Sequence, residues 1–336
     1  MTFRRFSEKI MKGEYLSREE LKTLVYDMRN GNLDDLEFIV ILTAMQTRNE
    51  IKGFSIRESY DFIESLRPFP IRNVEGTLCN SGTGGDKIKT VNISTLSSIV
   101  MASSGIKVLK NGSKGTTGSR GAKEALENLG IQTQEDIDEV IKSVEKTGIG
   151  YYDFSKMVPI RGRAGLVTPL NMLGPLCSPV RLSFKLLGCT DIKYVEIAES
   201  LLKRLTDNYL ITNNPSIDEL SLEEPTTIVE RRFGISRKYV FDPRQEGLPK
   251  IGYEEISPVE DNDRDAKLAL ETLGGKKGPV RDIICLNSGA GIYLVGKADS
   301  ITEGYYKAQN ILDSGEPLKK LREWREFQKN GQKSDI

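Results

Sequence analysis

The stretch that most limits what this chain can fold into is residues 80–95, Asn-Ser-Gly-Thr-Gly-Gly-Asp-Lys-Ile-Lys-Thr-Val-Asn-Ile-Ser-Thr. The short apolar run Gly76–Cys79 leads into it and predicts a buried strand. Gly82, Gly84 and Gly85 then put three glycines into four positions, which lets the backbone turn with φ > 0 and bring its N–H groups close to a ligand. Asn92, Ser94 and Thr95 stand just ahead of the apolar run Leu96–Ser103, which reads as a helix. A helix start adds unpaired N–H donors and partial positive charge. Strand, glycine turn and helix start together make an anion cradle suited to phosphate. An ordinary strand-to-helix turn also has glycines, but it needs no polar set such as Asp86, Asn92, Ser94 and Thr95 beside them. Two familiar phosphate patterns are absent. Lys87 breaks G-x-G-x-x-G, and no G-K-[ST] closes a P-loop.

The rest of the chain supplies the frame. Residues 1–70 have helical periodicity. Ser17 and Glu20 form a predicted capping box ahead of Leu21, Leu24, Val25 and Met28, Asp34 opens a further helix, and another runs from Ser55 to Leu66. Beyond residue 71 short apolar runs alternate with helical ones. Gly76–Cys79, Lys107–Leu109, Gly148–Tyr152, Lys185–Gly188 and Tyr209–Thr212 read as strands; Leu96–Ser103, Lys123–Leu129, Asp136–Lys146 and Tyr194–Leu205 read as helices. The expected fold class is α/β: a small N-terminal helical domain, residues 1–70 joined by part of 165–195, and a large α/β domain, 71–336, with a mainly parallel central sheet. In such sheets ligands sit beyond the carboxyl ends of the strands.

Three further motifs fall at such ends or between domains. Lys110-Asn-Gly-Ser-Lys-Gly-Thr-Thr-Gly-Ser-Arg-Gly121 is a basic glycine-rich loop fit for a second anion, with Lys110 the best-placed fixed contact; Lys114 and Arg120 read equally well as solvated. Asp218-Glu219 could hold Mg²⁺, or simply be a solvated acidic helix start. Residues 159–176 are rich in glycine and proline and suggest a hinge, from which Arg161 or Arg163 could enter a site.

Composition removes several chemistries. The chain has no histidine, which excludes a Ser-His-Asp triad, a Cys-His pair and His-ligated metal. Lys plus Arg and Asp plus Glu are 48 each, so no net charge draws the chain to nucleic acid or a membrane surface. The four cysteines are widely spaced and form no C-x-x-C, as expected of buried free thiols in a reducing cytoplasm.

In this order the motifs resemble the anthranilate phosphoribosyltransferase family over nearly the whole chain. Residues 13–20 are similar to that family's N-terminal helical module. Gly82-Thr-Gly-Gly-Asp86 with Asn92-Ile-Ser-Thr95 is similar to its phosphoribosyl-diphosphate (PRPP) signature, Asn171–Leu176 to its hinge, Asp218-Glu219 to its Mg²⁺ pair, and Val295–Ser300 to its C-terminal segment. The resemblance implies a homodimer formed through the helical domain. It implies PRPP contacts from Gly82, Thr83, Gly84, Gly85 and Asp86, then from Thr90, Asn92, Ser94, Thr95 and Lys110. It also implies Mg²⁺ held through Ser94, Asp218 and Glu219.

The acceptor side departs from the family. Its Lys-His-Gly-Asn-Arg run is Lys110-Asn-Gly-Ser-Lys114 here, so Asn111 and Ser113 replace a His and an Asn. The arginine expected before Thr168, which grips the anthranilate carboxylate in the family, is Val167. Losing such a charge-assisted partner costs about 1.5–3 kcal/mol unless Arg161, Arg163 or Lys114 substitutes. The expectation is a Mg²⁺-dependent transferase moving phosphoribosyl from PRPP to a nitrogen of a small aromatic acceptor. The alternatives are a genuine anthranilate phosphoribosyltransferase of tryptophan biosynthesis, a nucleoside phosphorylase-like pentosyltransferase, or a non-catalytic nucleic-acid-binding relative.

Overall fold

The computed structural model describes residues 2–67, 70–112, 121–133, 136–154, 167–259 and 261–331. Four helices come first: α1 (Thr2–Met11), α2 (Arg18–Arg29), α3 (Asp35–Lys52) and α4 (Ile56–Leu66). The Ser17–Glu20 capping box forms as expected, and Asp34 with Glu37 makes a second one at α3, satisfying first-turn N–H groups that no helix can pair internally.

A buried ion pair fastens these helices. Both terminal guanidinium nitrogens of Arg48 on α3 reach Glu58 on α4, and Glu58 also accepts from Leu16 N at 2.6 Å. Arg48 donates to Glu14 O at 2.8 Å and lies over the Tyr15 ring, 4.3 Å from its centroid. Burial pushes the Glu58 carboxyl up even with Arg48 beside it. Arg48→Met would strand that carboxylate, so a loss of about 3–5 kcal/mol is expected in urea unfolding. An unchanged midpoint would show that the pair contributes nothing.

The sheet follows. Its strands are β2 (Thr77–Gly82), β3 (Lys107–Gly112), β4 (Ile149–Asp153), β6 (Phe184–Cys189), β7 (Asn208–Asn213), β8 (Thr226–Arg232) and β9 (Ile235–Phe241). A separate two-residue parallel pair joins β1 (Arg72–Asn73) to β5 (Val180–Arg181). The strand order is β4-β3-β2-β6-β7-β8-β9; β4 through β7 are parallel, and β8 and β9 are antiparallel additions at one edge. The expected mainly parallel sheet is present, with each of the five apolar runs at its strand. The β8–β9 hairpin is an addition to that expectation.

Side chains alternate across the sheet as the two-residue period requires. Val108 and Leu186 face a core with α5 (Ile93–Ser103), α10 (Asn262–Leu273), α11 (Pro279–Leu294), α12 (Ile301–Asp313) and α13 (Glu316–Gly331). Leu109 and Leu187 face the other way, toward α7 (Ile137–Thr147), α9 (Ile192–Leu205) and the N-terminal helices. Two short helices, α6 (Ala122–Asn128) and α8 (Pro169–Leu173), are the others among the described residues. All four cysteines are buried thiols, none of them in a disulfide. No described helix is long and apolar enough to cross a membrane.

From β2 the chain winds outward to β3 and β4, and from β6 it winds the opposite way to β7. The switch in direction therefore lies between β2 and β6. The carboxyl ends of those two strands are where an open parallel sheet leaves its ligand crevice.

Candidate active site

Gly82 ends β2 and is in register with Gly188 of β6. Thr83 N donates to Gly188 O at 2.9 Å, so the loop after β2 begins pinned to the neighbouring strand. Gly84 and Gly85 then take φ of 67° and 85°, the left-handed region in which glycine carries no penalty. The loop returns at Asn92 to start α5. That helix begins at Ile93, so Ser94 and Thr95 lie in its first turn rather than ahead of it; their hydroxyls are good enough first-turn residues for the helix to form around them. Asn92 Oδ1 accepts from the Thr95 hydroxyl at 2.6 Å, and Asn92 Nδ2 donates to Gly121 O at 3.2 Å. Thr90 is half-buried and donates to Val91 O at 3.1 Å.

The acidic loop after β7 closes over this turn. Gly84 N donates to Asp218 Oδ2 at 2.7 Å, and Asp218 N donates to Asp86 Oδ1 at 2.8 Å. Lys87 N and Ile88 N both donate to Ser216 O. A Cβ on Gly82 would collide with the Asp218 carboxylate, and one on Gly188 would land on the Asp218 carbonyl oxygen. Asp218 thus sits in a seat cut out of two adjacent strands by two missing side chains.

Carboxylate oxygens of Asp86, Asp218 and Glu219 lie within 4.8 Å of one another. Desolvation and then the Asp218 charge push the Asp86 carboxyl up to about 8, although the residue as a whole is exposed. Burial, then the same neighbours, push Glu219 well above its ordinary range. Glu219 Oε2 is buried with no hydrogen-bond partner among the described residues. Three converging carboxylates, one holding an unsatisfied buried oxygen, fit a hard divalent cation. Sequence reasoning assigned Asp86 to the donor and Ser94 to the metal. Here Asp86 joins Asp218 and Glu219, while the Ser94 hydroxyl accepts from Lys110 Nζ at 2.9 Å. Lys110 is buried, also donates to Asn80 O at 2.9 Å, and is pulled down to about 8, first by burial.

On the acceptor side, Asn111 is buried at the end of β3. Its Nδ2 donates to Cys177 O at 3.2 Å and to Gly174 O at 3.5 Å, which ties the strand to the segment after α8. Its Oδ1 has no hydrogen-bond partner among the described residues. Val167 is exposed. Ser113, Lys114, Arg161 and Arg163 lie outside the described residues. Sequence reasoning missed Gly188 and also Thr190, which donates to Gly84 O at 3.1 Å.

Three comparisons bear on this arrangement. Residues 75–318 match the model of the glycosyl transferase family, a/b domain. Over 332 residues the chain is 30% identical to an anthranilate phosphoribosyltransferase of Nitrosomonas europaea, covering 95% of this chain and 96% of that protein. It is likewise 30% identical to one from Petrotoga mobilis, covering 97% and 96%. Among solved structures it is similar to anthranilate phosphoribosyltransferase from Thermus thermophilus, with TM-score 0.83 and 27% identity over 96% of this chain and 98% of that one. The Saccharomyces cerevisiae enzyme, solved with PRPP and Mg, shares the fold at TM-score 0.78 and 20% identity over 97% of each chain.

Proposed function

The chain belongs to the anthranilate phosphoribosyltransferase family, and from that premise we propose that it transfers the 5-phosphoribosyl group of PRPP to the amino group of anthranilate. It is a PRPP-dependent phosphoribosyltransferase. The observation that carries the reading is the meeting of the glycine turn and the acidic loop at the β2–β6 switch point.

The donor side follows from the residues. Thr83 N and Gly84 N are already held by Gly188 O and Asp218 Oδ2, so the phosphates would lie along the rest of the glycine turn and the first turn of α5, with Asn92, Ser94 and Thr95 adding polar contacts and Thr90 closing the turn. Lys110 sits behind Ser94 and keeps positive potential at that helix start. Asp86, Asp218 and Glu219 would hold Mg²⁺, which supplies charge neutralisation of the departing diphosphate when bound. The protein's own part is positioning and electrostatic complementarity. As the C1–O bond lengthens, the acceptor nitrogen attacks C1 and then sheds its own proton. A weakly basic aromatic amine loses that proton readily, so a chain without histidine suffices.

A second reading, transfer to a different aromatic amine, is favoured by one feature: exposed Val167 stands where the family places its carboxylate-binding arginine. Loss of anthranilate fluorescence on adding enzyme, PRPP and Mg²⁺ decides between them. Turnover is the expected result. PRPP binding without turnover at saturating anthranilate would transfer support to the second reading.

Dimerisation through the helical domain is part of the proposal. Leu36, Val40 and Ile51 stand exposed along α3, with Met11 exposed on α1, an apolar set that a partner copy would cover. Val40→Glu is expected to shift the mass measured by light scattering from dimer to monomer.

A further inference from the structure

The acidic loop and the glycine turn are gripped by one short segment far along the chain. Residues Tyr253–Ile256 form a single 3₁₀ turn. Its last residue holds the donor side, because Val91 N donates to Ile256 O at 2.9 Å, just before α5. Its first residue reaches the acidic loop. The Tyr253 hydroxyl donates to Glu224 Oε1 at 2.7 Å. The Ser221 hydroxyl lies 3.0 Å from the Tyr253 oxygen, and Ser221 Oγ already accepts from Glu223 N and Glu224 N, so Ser221 is left to donate to the tyrosine. Asn214 Oδ1 is 3.4 Å from the same hydroxyl and accepts from Ser216 N and Ile217 N.

One half-buried phenol therefore touches the loop on both sides of Asp218-Glu219: at Asn214 before the pair, and at Ser221 and Glu224 after it. Asn287 of α11 is another anchor, bonding both the N and O of Leu220. Lys87 N and Ile88 N join the glycine turn to the loop through Ser216 O, and the Tyr253 hydroxyl braces the loop at three further points flanking Asp218-Glu219. The position of the loop against the turn matters because Gly84 N and Asp86 meet Asp218 there.

We propose that Tyr253 is a positioning residue: its hydroxyl sets the acidic loop against the glycine turn so that the three carboxylates converge on one cation. This rests on the assignment of Asp86, Asp218 and Glu219 to Mg²⁺. Tyr253→Phe removes one oxygen and keeps the ring that packs beside α11. Groups bonded directly to metal ligands are worth roughly 10–100-fold in metal affinity; Tyr253 acts one step further out, through Asn214, Ser221 and Glu224, which puts its effect at the low end.

The probe is Mn²⁺, titrated into full-length protein with PRPP and followed by the EPR signal of the free ion. Tyr253→Phe should bind Mn²⁺ about tenfold more weakly than wild type, with an unchanged melting temperature in the metal-free state. In the assay it should raise the Mg²⁺ concentration for half-maximal rate by a similar factor, leave acceptor KM alone, and recover kcat at high Mg²⁺. Ser221→Ala, which removes the other half of the contact, should move Mn²⁺ binding in the same direction. Unchanged Mn²⁺ binding in both variants, with wild type binding normally, overturns the positioning role and leaves the metal assignment standing. Failure of wild type to take up Mn²⁺ overturns both.

Discussion

Gly188→Ala should lower kcat/KM for PRPP by about a hundredfold or more while the protein still folds. The added methyl group falls on the carbonyl oxygen of Asp218. Backbone cannot swing aside as a flexible side chain can, so the acidic loop must lift from the sheet. A shift of roughly 1 Å at a reacting site is enough to cost about a hundredfold. The strand itself tolerates alanine, because Gly188 is paired on both sides within a parallel ladder that needs only its N–H and C=O. Circular dichroism and the melting curve should therefore stay close to wild type. Matched losses of stability and activity would mean that the methyl group had broken the sheet instead.

Glu219→Gln separates stability from activity in the opposite sense. Removing one of three carboxylates from a cation site is expected to lower kcat by about 10²–10³-fold, in line with several kcal/mol of lost charge stabilisation. Without metal, however, the three carboxylates repel in a poorly hydrated pocket, and the variant relieves that repulsion. Metal-free Glu219→Gln should melt higher than metal-free wild type at pH 8. The sign for the wild type follows from the raised groups. Asp86, ordinarily near 3.8, is pushed up to about 8, so the folded state keeps a proton that the unfolded state has already lost. That contribution to stability is complete below about pH 4 and is lost as the pH rises through 8. Melts in EDTA should fall across this window, and saturating Mg²⁺ should flatten the slope. A flat profile in EDTA would show that the carboxylates do not share a low-dielectric site.

The fold was legible where burial is two-sided. The five parallel strands lie between helical layers, so each appears as an apolar run with little alternation. The edge strand β9 was not legible. Its residues Ile235-Ser-Arg-Lys-Tyr-Val are mostly exposed, and nothing in their pattern separates them from a loop. Their pairing is announced only by the turn at Phe233-Gly234, where both residues take positive φ. In the site, Gly82, Gly84 and Gly85 were visible because they crowd together. Gly188 was invisible because its role comes from the approach of a residue thirty positions later, and no local signal marks it. Asp86 carried a signal as part of the donor motif, but its place beside Asp218 and Glu219 arises from two loops meeting across the switch point. Tyr253 lies in a segment with no motif, and its contacts alone distinguish it from any other half-buried tyrosine.

The N-terminal helices share one apolar core with a face of the sheet: Phe38, Phe62 and Leu66 belong to the same packed cluster as Leu109, Tyr152 and Leu187. The join is mainly apolar, edged by Gln46 against the Tyr194 hydroxyl and by the Lys193–Glu50 ion pair. These helices are consequently poor material for a cassette exchange. A graft from a distant relative would arrive with an underside shaped for a different sheet, and a fragment ending at residue 70 would display that underside to solvent. Whoever engineers a new quaternary arrangement here should redesign the outer stripe of α3 and leave the inner one untouched.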